Sequence, residues 1–111
     1  MKSEIHDQGP VRIIALSGKI TIGAGDIQLR QLVHQSVDEG RSKIVLDLGN
    51  VSTIDSSGIG EMVACYTTVT KRGGALKLLN LSPKINDILQ VTQLITVFDV
   101  FDSKDEAISS F

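Results

Sequence analysis

Short runs of β-branched and aliphatic residues alternate with longer amphipathic segments, and this alternation most limits the fold of the chain. Lys43–Leu48 is the clearest apolar run, and the segment that follows places Ile59, Met62 and Tyr66 on one helical face. Strands that alternate with helices in this way predict an α/β domain. No repeat or linker interrupts the pattern, so residues 1–111 are expected to form a single domain.

The residues that form turns and helix caps give approximate boundaries to these elements. We expect strands at Val11–Ser17, Lys19–Ile22, Lys43–Leu48, Ala75–Leu81 and Ile95–Val100. We expect helices between Asp26 and Gly40, from Ile59 to about Lys71, from Pro83 to Leu89 and from Lys104 to Phe111. Asp26, Ser82 and Ser103 are the predicted capping residues, and no element is predicted before Gly9-Pro10.

The composition argues against several classes of function. The formal net charge is -2, from 11 Lys and Arg against 13 Asp and Glu, and aromatic residues make up only 4% of the chain. A surface without excess positive charge or stacking aromatics predicts no direct binding to nucleic acid. The chain has no apolar stretch typical of a signal peptide or a membrane span, so we expect a soluble protein that does not insert into a membrane.

Residues for metal binding or hydrolysis are sparse. His6, His34 and the lone Cys65 are far apart in sequence, so no metal site and no intramolecular disulfide are expected, as suits a reducing cytoplasm. The segment from Ser56 to Gly60 does not match a G-x-S-x-G nucleophile elbow, and Glu61 stands where a Walker loop would need lysine. We therefore expect no cofactor and no enzymatic activity.

The polar segment Ile54–Gly58 connects a predicted strand to a predicted helix. Ser56 and Ser57 lie at the start of that helix, where free N–H groups and partial positive charge favour an anion such as a phosphate. Asp and Ser before a helix are also common N-caps that contribute about 1 kcal/mol without any further role. The local chemistry alone leaves both interpretations open.

The string Asp55-Ser56-Ser57-Gly58-Ile59-Gly60 resembles the D-S-[ST]-G-[LI]-G signature of the STAS family, the anti-sigma factor antagonist domains. Lys43–Leu48 before it, Lys71–Gly74 after the helix and Leu78–Pro83 beyond are also similar to that family. The resemblance covers essentially the whole chain. It implies a small α/β domain in which a mixed β-sheet is backed on one side by about four helices.

The resemblance also implies a non-enzymatic regulatory switch. In such systems a GHKL-type serine kinase, which is also an anti-sigma factor, phosphorylates the first serine of the motif, which is Ser56 here and less plausibly Ser57. The unmodified protein binds this kinase and frees a sigma factor, and a phosphoserine phosphatase reverses the modification. Asp55 is expected to orient the loop or the hydroxyl. The remaining expected partner-binding residues of this phosphoserine loop are Ser57, Gly58, Ile59, Gly60 and Thr21.

One position departs from the family pattern. Many members have aspartate in a G-x-[LI]-D sequence after the first strands, whereas Gly18-Lys19-Ile20-Thr21 places a threonine there. Where that aspartate assists docking of the kinase, this protein is expected to dock differently. The glycine-rich segment from Ile22 to Asp26 should lie beside the phosphoserine loop, either as a partner contact or simply as a loop before a helix.

Two alternatives belong to other functional classes. The chain could be a scaffold or accessory subunit of a signalling or transport complex, with a serine that is never modified. It could also hydrolyse nucleotides, although the sequence offers no base or metal site for that chemistry. The sequence leaves the oligomeric state and the identity of the kinase, phosphatase and sigma factor open.

Overall fold

The computed structural model describes all 111 residues and contains one five-stranded sheet with four α-helices. The strands are β1 (Lys2–Gln8), β2 (Val11–Ile20), β3 (Lys43–Ile54), β4 (Ala75–Leu79) and β5 (Val100–Phe101). The helices are α1 (Gly25–Asp38), α2 (Ser56–Lys71), α3 (Pro83–Val91) and α4 (Lys104–Ser109), and a short 3-10 helix spans Leu94–Thr96. This architecture confirms the predicted α/β class.

The sheet is mixed, as expected, and its strand order is β1-β2-β3-β4-β5. Only β1 is antiparallel to its neighbour, while β2, β3, β4 and β5 pair in parallel. The carboxyl ends of parallel strands meet at one edge of a sheet, which is where ligands and partners commonly bind in α/β domains. The starts of α1, α2 and α3, each of which follows a parallel strand, therefore lie along this same edge.

The core has two parts, one on each face of the sheet. The larger cluster packs α1, α2 and α3 against alternate residues of the central strands, with Leu29, Met62 and Leu89 fully buried. A smaller cluster on the opposite face includes Val45 and Ala107, the latter from α4. Three helices cover one face and the fourth covers part of the other, so the expectation of helices on one side only was wrong.

Several strands extend beyond their predicted limits. The N-terminal residues form β1, an edge strand in which all seven residues are exposed, so it lacks the apolar alternation that reveals a strand. Gly18 does not stop β2 but adopts a φ of 96° beside a register shift, and the strand continues to Ile20. Gly49-Asn50 likewise lies inside β3, which continues to Ile54.

In the C-terminal third, one observed strand is shorter than predicted. Most of the predicted strand Ile95–Val100 is not extended, because the 3-10 helix occupies its beginning. Only Val100 and Phe101 pair with β4. The capping predictions for α3 and α4 were correct, since Ser82 accepts a hydrogen bond from the N–H of Ile85 and Ser103 accepts one from Glu106.

Candidate functional site

Asp55 begins the site, as the N-cap of α2. It follows β3 in an extended conformation, and its Oδ1 accepts a hydrogen bond of 2.9 Å from the N–H of Gly58. Its Oδ2 accepts a second bond of 3.0 Å from the N–H of Ile22, in the connection between β2 and α1. One carboxylate therefore holds together two connections that are far apart in sequence.

These hydrogen bonds determine what Asp55 can do. The N–H groups of Gly58 and Ile22 lower the pKa of its carboxyl, because both bonds favour the ionised form. Asp55 is thus ionised at neutral pH, and each of its oxygens is already engaged with a backbone donor. Of the two roles expected for Asp55, orientation of the loop and positioning of the hydroxyl, these contacts support orientation of the loop.

Ser56 is the first residue of α2, and its side chain is exposed at the carboxyl edge of the sheet. Ser57 follows it in the first turn and is half-buried. The N–H groups of the first turn have no acceptor within the helix and add a partial positive charge that stabilises a nearby anion. The structure thus presents the hydroxyl of Ser56 more openly to a second protein than that of Ser57.

The two glycines of the motif have different surroundings. A Cβ added at Gly58 would lie 2.1 Å from the carbonyl oxygen of Ile20 and 2.7 Å from Cγ1 of Ile54, so only glycine fits there. A Cβ added at Gly60 meets nothing within 4 Å, and that residue is exposed. Gly58 is required by the close approach of α2 to β2, whereas a side chain at Gly60 would extend into open space.

The connection between β2 and α1 lies directly beside the motif, as expected for the segment Ile22–Asp26. Thr21 is half-buried and its carbonyl accepts a hydrogen bond of 3.1 Å from the N–H of Asp26. The Oδ1 of Asp26 in turn accepts a bond of 3.0 Å from the N–H of Gly23. The prediction that Asp26 caps α1 was wrong, because the N-cap is Ala24 and Asp26 lies inside the first turn.

An ion pair next to the motif was not predicted. Nε of Arg30 on α1 lies 3.1 Å from Oε1 of Glu61 on α2, and the Glu61 side chain is only 10% exposed. Glu61 also lies near Cys65, whose thiol pKa is raised to about 12 by burial and by this carboxylate. A thiol with that pKa is protonated at neutral pH and is not a nucleophile. The two charged residues are evident from the sequence, but the packing of α1 on α2 that brings them together is not.

Other potential functional features lie away from this edge. Two open depressions have volumes of about 440 Å³ and 290 Å³, and neither is lined by a residue of the motif. No group of three His, Cys, Asp or Glu side chains is arranged to hold a metal ion. None of the helices combines the length and the apolar character needed to cross a bilayer.

Comparison with known proteins identifies a matching family. The model of the STAS domain matches residues 2–107. An anti-sigma F factor antagonist from Paenibacillus polymyxa is 26% identical over 104 residues, covering 94% of this chain and 88% of that protein.

Two solved structures share the fold. The crystal structure of an anti-sigma factor antagonist from Mycobacterium paratuberculosis has a TM-score of 0.86 at 21% identity, over 98% of this chain and 92% of that one. The structure of the Bacillus cell fate determinant SpoIIAA in the phosphorylated form has a TM-score of 0.76 at 22% identity, over 98% of both chains. At these identities the likeness is one of fold.

Proposed function

The chain belongs to the STAS domain family, and on that premise we propose that it is an anti-sigma factor antagonist controlled by phosphorylation of Ser56. Its partner is an anti-sigma factor that is also a GHKL-type serine kinase. Binding of the unmodified protein withdraws that partner from a sigma factor, and phosphorylation ends the interaction. The similarity to an anti-sigma F factor antagonist over 94% of the chain supports the general role.

The observation that carries the proposal is the placement of Ser56. It is exposed at the first position of α2, directly after a capping residue whose two oxygens are both fixed by backbone donors. A hydroxyl on a rigid, protruding helix start is accessible to the active site of another protein. Ser57 is less exposed, and the proposal therefore assigns the modification to Ser56.

The proposed reaction is a phosphoryl transfer from ATP in the active site of the kinase. Oγ of Ser56 forms a bond to the γ-phosphorus, the bond from that phosphorus to the bridging β–γ oxygen breaks, and ADP leaves. The hydroxyl proton goes to a base of the kinase, and Asp55 keeps its hydrogen bonds to the backbone of this chain. This chain contributes the acceptor and its orientation but no catalytic group.

The switch follows from charge. Phosphorylation adds about 1.5 to 2 negative charges, and it does so next to Asp55, where backbone donors stabilise the negative charge and lower the pKa of the carboxyl. The positive end of the α2 dipole tolerates this charge, so the fold is expected to stay unchanged. A partner surface that fits the neutral serine instead meets like charge and added hydration, and it dissociates.

The proposal extends to the rest of the cycle. A phosphoserine phosphatase removes the phosphate from Ser56 and restores binding. The protein acts in the cytoplasm as a regulator without turnover of its own, and Thr21, Ser57, Ile59 and Gly60 belong to the surface that the partner covers.

The experiment that tests the proposal is phosphorylation by each GHKL-type serine kinase encoded in the same genome, with ATP and magnesium. Phosphopeptide mapping across Ile54–Glu61 should place one phosphate on Ser56. Ser56→Ala should bind the same kinase but incorporate no phosphate, while Ser57→Ala keeps the acceptor and should still incorporate one phosphate on Ser56. A stable complex without phosphate on any residue would favour the scaffold alternative and contradict the switch.

A further inference from the structure

We propose that Ile22 is an apolar anchor for the kinase, a specificity-determining residue that inserts into a recess beside the kinase's phosphoryl-transfer site. This inference rests on the proposed function, because it names a second contact made by the protein that modifies Ser56. It assigns a role to the side chain of a residue whose backbone already binds Asp55.

The first observation is exposure. The Ile22 side chain is 73% exposed, although isoleucine is among the residues that are most often buried. Ile27, in the first turn of α1, is also exposed, at 42%. A partner that covers the Ile22 side chain would remove this exposed apolar surface from water, which favours binding.

The second observation is rigidity. The N–H of Ile22 donates to Oδ2 of Asp55 at 3.0 Å, and the residues on either side are held by the bonds from Asp26 N–H to Thr21 and from Gly23 N–H to Asp26. An exposed isoleucine on a fixed backbone loses little conformational entropy when a partner covers it. Most interface energy comes from a few such anchors that fill pockets.

The third observation is position. Asp55 immediately precedes Ser56, and its carboxylate contacts the backbone of Ile22 directly. A kinase domain that covers Ser56 therefore also lies close to the backbone of Ile22, whose side chain is exposed to solvent. The chemistry of the occupant follows: it is the catalytic domain of a serine kinase, with an apolar recess next to the γ-phosphate of its ATP.

The test is a steady-state comparison of variants with the kinases of the same genome, ATP and magnesium. Ile22→Ser keeps the backbone donor to Asp55, so the position of Ser56 and kcat should be unchanged. Loss of the anchor should raise KM for the protein substrate about tenfold. Ile22→Leu should restore KM to within about twofold of the wild type, because it replaces the apolar volume. The matched control is Val91→Ser, which removes a side chain 85% exposed at the far end of α3 and should leave both constants unchanged.

The outcomes separate this inference from the function on which it rests. Normal phosphorylation of Ile22→Ser with an unchanged KM would overturn the anchor and leave the switch intact. A fall in kcat without a change in KM would also overturn it, since that result indicates a disturbed Ser56. If no kinase of the panel phosphorylates the wild-type protein, the proposed function and the anchor both fail.

Discussion

Replacement of Gly58 by alanine is expected to destabilise the protein, while the same replacement at Gly60, two residues further along α2, is expected to stabilise it. Both glycines belong to the motif and both lie in the helix. They differ in what surrounds them, since Gly58 is buried against the end of β2 and Gly60 is exposed. The pair thus tests the packing that places Ser56 at the edge of the sheet.

The magnitude follows from the contacts. At Gly58 a new Cβ would be 2.1 Å from the carbonyl oxygen of Ile20, which is backbone within β2 and cannot rotate away. Overpacking of this kind typically costs about 1 to 3 kcal/mol, and we take the upper value because backbone atoms clash. At either position, the higher helix propensity of alanine stabilises α2 by about 1 kcal/mol relative to glycine. We expect a loss of about 2 kcal/mol for Gly58→Ala and a gain of about 1 kcal/mol for Gly60→Ala.

Urea unfolding followed by far-ultraviolet circular dichroism measures both free energies of unfolding by linear extrapolation. The predicted difference of about 3 kcal/mol is well above the error of that method for a small domain. Equal stabilities of the two variants would refute the reasoning, because they would mean that α2 does not approach β2 closely at Gly58. The slope of the transition should be the same in all three proteins.

Three further predictions concern charge, backbone strain and the switch. Because the pKa of Asp55 is lower in the folded protein, the ionised carboxylate stabilises the fold above its unfolded pKa near 3.8. This stability is lost as the pH falls through the lower folded pKa. Asp55→Asn should therefore weaken the dependence of stability on acid, as measured by the unfolding midpoint between pH 2 and 6. Gln93→Gly should raise the free energy of unfolding by about 1 kcal/mol, because Gln93 has a φ of 62° that glycine adopts without strain; an unchanged urea midpoint would contradict this. Ser56→Asp should bind the anti-sigma factor more weakly than the control Ser57→Asp in a titration by calorimetry, and equal affinities would argue against Ser56 as the switch.

The sequence predicted those parts of the fold that leave a local pattern. β3 and β4 contain runs of buried aliphatic residues, and the first helices show a clear apolar stripe, so their type and order could be predicted. The edge strand β1 could not be predicted, because an exposed strand need not alternate. Its seven residues form a strand because they pair with β2, and this pairing cannot be predicted from the residues of β1 alone.

Glycines led to wrong predictions of strand ends and to an incomplete explanation at Gly58. Gly18 and Gly49 look like strand ends, yet the strands continue past them because β2 and β3 remain paired with each other as far as Ile20 and Ile54. Gly58 was expected as a partner-binding residue, and the structure shows another reason for glycine there, the close approach of Ile20. Such tertiary contacts have no local signature.

At the candidate site the sequence supplied the motif, and the structure supplied its neighbours. Ser56 and Ser57 were placed near a helix start from the pattern alone, but α2 begins at Ser56 and not at Ile59 as predicted, and Asp55 is its N-cap. The contact between Asp55 and Ile22 joins residues 33 positions apart through a backbone donor, which any residue except proline could provide. The exposure of Ile22 likewise depends on the packed fold and not on residue type.

The central claim is that phosphate on Ser56 controls partner binding, and one measurement tests it most directly. The affinity of the anti-sigma factor is measured for the unmodified protein and for protein carrying a single phosphate on Ser56, verified by peptide mapping. Phosphorylation of Ser56 should lower the affinity for the anti-sigma factor about tenfold or more, and the circular dichroism spectrum should stay unchanged. Equal affinity of the two forms would contradict it.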